Sequence, residues 1–220
     1  MKYYKIVNPE GHHGMTYKEG LNTDVLSFRP SGDCEPGGIY FSREDILEFI
    51  SYGTELYEVE PIGEVYENPG TPKKWKAHEV KLKYIGKVID NIQMLIDEGA
   101  DVHVDNDYAL QWASLDGHLK IVKVLLENDA DVHANEDCAL RTASIKGHLE
   151  VVKLLLENGA DIHVWNDYAL RWTSRYVHYK IVKLLLENGA DVHADDDYAL
   201  RRASENGHTE VVELLKSYMK

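Results

Sequence analysis

The chain has 220 residues, 24 Lys and Arg against 38 Asp and Glu, a formal net charge of −14 and 44% hydrophobic residues. That length suits one or two domains, and the apolar fraction suffices for a packed core. The acidic balance, with a pI near 5.2, argues against nucleic acid, whose phosphates call for a basic stripe. The lack of any run of about 18 apolar residues argues against a membrane span. Met1-Lys2-Tyr3-Tyr4-Lys5 has no apolar secretory stretch, so a cytoplasmic protein is expected. Cys34 and Cys138 stand 104 positions apart and make neither a disulfide framework nor a metal cluster.

Residues 1–87 carry 11 basic and 14 acidic side chains, and residues 88–220 carry 13 and 24, so the charge shift marks two regions. In chain order, Tyr3–Val7 reads as a strand and Asn8-Pro9-Glu10-Gly11 as a turn. Gly37–Phe41 reads as a strand leading into Ser42-Arg43-Glu44-Asp45, a capping-box start for a helix through Ile46, Leu47, Phe49 and Ile50 that Gly53 ends. Leu56–Glu60 and Gly63–Tyr66 read as strands separated by Pro61. Asn68-Pro69-Gly70-Thr71-Pro72 is a loop, and Ala77–Tyr84 alternates as a last strand. The expected module at 1–87 is a small α+β domain.

From residue 88 the chain repeats every 30 residues: Asp101, Asp131, Asp161 and Asp191 recur at that step, as do His103, His133, His163 and His193, and His118, His148, His178 and His208. Val88–Glu98 supplies one helix with Ile92, Leu95 and Ile96 inward. Each full unit then reads as two short helices. In the first unit Ala109, Leu110 and Ala113 line one, and Ile121, Val122, Leu125 and Leu126 line the other. Asp107, Asp137, Asp167 and Asp197 stand where N-caps belong, and Gly117, Gly147 and Gly207 supply the stop. Val177 holds the corresponding place in the third unit, and a β-branched residue resists positive φ, so its turn is expected to take another geometry or to carry strain. Such stripes are buried only against the next unit, which makes the array a solenoid. The units are a half unit 88–106, full units 107–136, 137–166 and 167–196, and a capping unit 197–220.

Gly147–His163, GHLEVVKLLLENGADIH, resembles the second helix and following turn of an ankyrin repeat. The resemblance covers residues 88–220. It departs from the usual unit of about 33 residues opening on T-P-L-H-x-A: the period is 30, and Tyr108-Ala109-Leu110-Gln111 stands in place of T-P-L-H. Stubby fingers are implied, with a first helix started by Asp. Short-fingered arrays of this kind are similar to the ankyrin proteins of giant DNA viruses of the mimivirus type, and residues 1–87 resemble their leader domain more loosely. The resemblance implies a mostly α ankyrin-repeat solenoid with the small α+β module docked on its first repeat, and in a virus it implies a host protein as partner and the host cytosol as location.

Eight of the eleven histidines fall in the two ladders. A zinc ion needs ligands about 2.0–2.3 Å away, whereas layers of packed helices stand about 8–10 Å apart. The expectation is therefore no metal and no cofactor, each imidazole bonding backbone of its own or the next loop. The finger acids Asp105, Asp107, Glu136, Asp195, Asp196 and Asp197 read as solvated caps rather than a calcium loop.

What varies between units is more informative. The third unit gathers Trp165, Trp172, Arg175 and Tyr176, with Tyr179 nearby, and Trp112 is the first unit's counterpart of Trp172. Trp, Tyr and Arg dominate binding hot spots, so Trp165, Trp172, Arg175, Tyr176 and Trp112 are the candidate partner-binding residues. Of these, Trp165, Arg175 and Tyr176 are expected to be exposed on one face, while Trp112 and Trp172 could as easily pack. The leading expectation is a monomeric, non-enzymatic scaffold binding a protein partner, neither nucleic acid nor membrane, through the concave face and fingers. The alternative is an enzyme with its active site in residues 1–87, in a cleft lined by His12, His13, Tyr17 or Glu58, with the repeats recruiting substrate.

Overall fold

A computed structural model describes residues 2–10, 16–23, 39–68 and 73–219, and the chain divides into two compact units, Met1–Ala109 and Leu110–Lys220. In the first, strands β1 (Tyr3–Val7), β2 (Gly20–Thr23), β3 (Ile39–Ser42), β4 (Glu55–Asn68) and β5 (Lys74–Lys87) are all antiparallel. The long β4–β5 hairpin is the frame. β1 lies along the start of β4, from Tyr3↔Val59 to Val7↔Glu55, and β3 along the start of β5, from Ile39↔Ala77 to Ser42↔Lys74. A single pairing, Tyr4↔Ser42, joins β1 to β3 and closes the ring, and β2 pairs the middle of β5. Alternation sends Ile39, Phe41, Val59, Trp75, Ala77, Val80 and Leu82 into one cluster.

Three expectations are corrected here. Pro61 does not interrupt the strand: β4 is continuous, with Pro61 opposite Val80 and a register shift between Ile62 and Val65. Gly63 sits in that irregularity at φ 79°, a conformation open to glycine. The capping box does not form. Ser42 belongs to β3 and donates to the Lys73 carbonyl at 2.7 Å, and the Asp45 carboxylate accepts the Lys73 N–H at 2.5 Å, so both side chains anchor the start of β5. The helix itself is 3₁₀, Glu44–Tyr52, burying Ile46, Leu47 and Ile50. The last strand begins at Lys74 rather than Ala77. Gly53 ends the 3₁₀ helix as expected, by proximity: its φ is extended, and a Cβ there would fall on the Val7 carbonyl. Gly37, Gly38 and residues 69–72 lie outside the described residues.

Helix α1 (Val88–Asp97) follows β5 directly and buries Ile92 and Leu95. Within this unit the Tyr4 hydroxyl donates to Glu98 at 2.8 Å, the Asp101 N–H to the Glu44 carbonyl at 2.7 Å, and the Tyr108 hydroxyl to Ser51 Oγ at 3.0 Å. Burial, with the acceptor Glu98, raises the Tyr4 phenol above the ordinary tyrosine range.

Helix α2 (Val104–Leu115) leads into the second unit, where α3 (Leu119–Glu127), α4 (Ala134–Lys146), α5 (Leu149–Glu157), α6 (Val164–Thr173), α7 (Tyr179–Glu187), α8 (Ala194–Glu205) and α9 (Thr209–Tyr218) stack. First helices α4, α6 and α8 pack side by side, and second helices α3, α5, α7 and α9 form the other layer. The expected stripes are the core: Ala139, Leu140, Ala143, Val151, Val152 and Leu155 are buried, as are their counterparts in the third unit, Ala169, Leu170, Ile181, Val182 and Leu185. Ala and Ser at the crossings let the helices approach closely.

Each finger is a run of three left-handed residues at the head of the first helix: Asp105-Asn106-Asp107, Asn135-Glu136-Asp137, Trp165-Asn166-Asp167 and Asp195-Asp196-Asp197, all with φ between 49° and 58°. A non-glycine residue held there costs about 1–2 kcal/mol, with Asn and Asp the most tolerant. This corrects the N-cap expectation. A capping residue is normally extended, whereas Asp137 is at φ 52°, ψ 38°, and its carboxylate bonds elsewhere.

Candidate partner-binding face

Two recurring devices hold the left-handed fingers. In the first, Asp131 Oδ1 accepts the His133 N–H at 2.9 Å, and His133 Nδ1 lies 3.1 Å from Asp137 Oδ1. Asp137 Oδ1 also accepts the Asp161 N–H of the following unit at 2.8 Å, and Asp167 takes the Asp191 N–H at the same distance. Asp137 and Asp167 are thus buried cross-links between repeats rather than N-caps. Asp107, expected as a solvated cap, is buried too, 4% exposed, with His103 Nδ1 3.1 Å from its carboxylate. In the second, Arg141 donates Nε to the Glu136 carbonyl and Nη2 to the Asn135 carbonyl, both at 2.9 Å. Arg171 does the same to Asn166 and Trp165 at 2.7 and 2.8 Å, and Arg201 to Asp196 and Asp195. These arginines were visible in the sequence as the last letter of Ala-Leu-Arg at a 30-residue step, with Gln111 in the first unit.

The second histidine ladder bonds the preceding unit. His148 Nε2 is 2.9 Å from the Leu115 carbonyl, His178 3.1 Å from Ile145 and His208 2.8 Å from Arg175. The expectation of backbone partners therefore holds for these three, while the first ladder uses carboxylates instead. Among the described residues no group of three or more His, Cys, Asp or Glu could hold a metal ion.

On this scaffold α6 presents a chain of rings. Tyr168 and Trp172 fall at i and i+4, one face of α6; Arg175 stands in the turn just after the helix, and the left-handed turn before it brings Trp165 onto the same side. Ring centroids are 5.5 Å apart for Trp165 and Tyr168, 5.6 Å for Tyr168 and Trp172, and 6.1 Å for Trp172 and Tyr198 of α8. Guanidinium groups cover them: Arg141 of α4 lies 3.9 Å over Trp165, Arg175 5.5 Å from Trp172 and Arg202 4.9 Å from Tyr198. Trp165 is 51% exposed, Arg175 is exposed and Trp172 is half-buried. Beside them, burial raises the Cys138 thiol and Arg141 lowers it, the first effect being the larger. Cys34 lies outside the described residues.

The structure thus brings Trp165, Trp172 and Arg175 together. Tyr176 is 42% exposed but stands in the turn after α6, its ring 6.2 Å from His178 rather than on the α6 rings. Trp112 is half-buried on α2 with its ring 4.9 Å from His118. Tyr179 lines a shallow open cavity of about 390 Å³ with Glu210, Glu213 and Leu214. Tyr168, Tyr198 and Arg141 complete the face and were overlooked, because all three recur or vary mildly between units and only stacking reveals them. In residues 1–87, Tyr17 lies 4.5 Å from the Lys5 ammonium, which burial lowers to about 8, and Glu58 pairs with Lys2 and Lys83. His12 and His13 lie outside the described residues.

A stack of paired short helices whose units are cross-linked at their turns is the architecture of a repeat scaffold. The family models described as ankyrin repeats (3 copies) and ankyrin repeats (many copies) match residues 82–166 and 170–215 respectively, so the chain belongs to the ankyrin-repeat family. It is similar to three proteins of Acanthamoeba polyphaga mimivirus. One, named an ankyrin repeat protein, is 38% identical over 123 residues, 51% of this chain and 40% of the relative. An uncharacterized protein is 35% identical over 135 residues, 54% of this chain and 94% of the relative. A second ankyrin repeat protein is 32% identical over 136 residues, 56% of this chain and 65% of the relative. The match therefore spans two fifths of the first relative and nearly all of the second. No described helix is long and apolar enough to cross a membrane.

Proposed function

We propose that the chain is a non-enzymatic interaction scaffold that binds one protein partner through the concave face and fingers of its array, with the α6 face at the centre. The family supports a protein partner, and the carrying observation is the Trp165–Tyr168–Trp172 ring chain, exposed at Trp165 and half-buried at the other two, with exposed Arg175 at its end. The interior position of α6, flanked by α4 and α8, lowers the ordering cost of binding. The likeness to mimivirus proteins supports a host protein as partner and the host cytosol as its place, and the monomeric chain is the binding form. Residues 1–87 serve as a docked cover for the half unit 88–106. Support comes from the hydrogen bonds of Tyr4 to Glu98, Asp101 to Glu44 and Tyr108 to Ser51.

The test is differential capture. Proteins retained from host-cell extract by the full chain are compared with those retained by Trp165→Ala/Trp172→Ala/Arg175→Ala, with circular dichroism and melting as controls for folding. A protein that binds the variant at least tenfold more weakly, about 1.4 kcal/mol, supports the reading. An unchanged set of captured proteins refutes it.

A further inference from the structure

We infer that the α6 face receives a short acidic segment of its partner, in which one or two Asp or Glu carboxylates lie beside aliphatic or aromatic side chains. This rests on the binding role proposed for that face. The chain carries −14 overall, yet cations concentrate here. Two of the local guanidinium groups are neutralised, Arg171 by Asp195 at 2.6 Å and Arg202 by Glu205 at 2.7 Å. Arg141 and Arg201 spend their N–H groups on uncharged carbonyls, and Arg175 lies along Trp172. Arg141 is itself buried, but Arg175 and Arg201 are exposed and neither has a carboxylate within ion-pair distance among the described residues, so their charge is available to a partner.

Geometry excludes the opposite choice. A guanidinium stacked on an aromatic ring keeps its in-plane N–H groups for a carboxylate, whereas a basic partner meets like charge at Arg175 and Arg201. A polyanion is disfavoured as well. Asp195, Asp196 and Asp197 edge the face at the next finger, and each added phosphate is repelled by the net charge. A few carboxylates, placed by apolar neighbours on Trp165 and Trp172, gain the local attraction without that cost. From Tyr168 on α6 to Arg175 in the turn after it the backbone advances about 10 Å at the helical rise per residue, which an extended peptide spans in about three residues. The segment is therefore short.

The test is fluorescence titration of the full chain with synthetic twelve-residue peptides that share a Leu-Pro-Tyr core. One carries Glu on both sides of the core, one Gln and one Lys, and a ten-nucleotide oligothymidylate is the fourth probe. The Glu peptide should bind at least about tenfold tighter than its Gln isostere, as expected for a hydrogen bond to a charged group. Arg175→Glu should abolish that preference, Lys180→Glu on α7, with the same charge change, should leave it, and Trp172→Ala should weaken both peptides. Equal binding of the Glu and Gln peptides, an equal effect of Lys180→Glu, or preference for the oligothymidylate overturns the inference. A captured partner that needs Trp172 but is indifferent to Arg175→Glu refutes the acidic chemistry alone. One indifferent to Trp172→Ala refutes the face itself.

Discussion

At the scale of the residue, Asp137 does the work the sequence assigned to a helix cap in another way. It is 3% exposed and joins His133 of its own finger to the Asp161 N–H of the next. Asp197 has the same sequence context, but no unit follows it among the described residues, and its side chain is 41% exposed with His193 at 2.8 Å. Asp137→Ala should therefore cost about 1–3 kcal/mol, the penalty for stranding buried donors, and Asp197→Ala clearly less, read from urea denaturation of the full chain. Equal losses would mean that the cross-unit bond carries nothing. The periodic Asp and His were legible at once because identity at a fixed step needs no geometry. Their roles were not, because three consecutive left-handed residues at Asn135-Glu136-Asp137 leave no hydrophobic pattern, and Asp before a helix reads by default as a cap. Tyr168 was missed for a related reason. Its aromatic neighbours are in the sequence, but stacking with Trp172 depends on helical phase and on the next unit's Tyr198.

At the scale of the element, the turn after α6 shows how one substitution reshapes a repeat. In the other units the glycine takes φ 74°, 87° and 73° at Gly117, Gly147 and Gly207. His118, His148 and His208 then donate their N–H to the carbonyls of Ala113, Ala143 and Ala203. Val177 has no positive φ. The turn instead closes through the Tyr176 N–H to the Thr173 carbonyl at 3.0 Å and the His178 N–H to Tyr176 at 2.9 Å, which leaves Val177 70% exposed. The expected change of geometry is what occurs, and it shortens α6 to Thr173 where α4 runs to Lys146. Glycine is needed at position 147 for a second reason: the His178 ring lies where a Cβ would stand. Gly147→Val should thus destabilise by at least about 1–3 kcal/mol of backbone strain. Val177→Gly should change stability by no more than about 1 kcal/mol. Thermal melts of both variants decide it, and a harmless Gly147→Val would show that the turn adapts freely. Strand β2, Gly20-Leu21-Asn22-Thr23, was invisible in advance because four residues with two polar and one glycine carry no alternation. It exists because β5 is long enough to accept it.

At the scale of the whole molecule, a β module precedes the repeats in the chain, and one interior repeat is distinctive. The half unit contributes only α1, whose Ile92 and Leu95 are each 1% exposed, and a solenoid end needs a polar cover. Removing residues 1–84 should uncover those side chains and lower the melting temperature of the remaining repeats. A fragment 88–220 that melts with the full chain would show that no cover is needed. The most direct test of the central claim is hydrogen–deuterium exchange on the full chain with and without the partner it captures. Slowed exchange is predicted along residues 164–176 and in the adjoining parts of α4 and α8 around Arg141 and Tyr198, which flank the rings. Protection confined to the second helices α5, α7 and α9, or to residues 1–87, would contradict it.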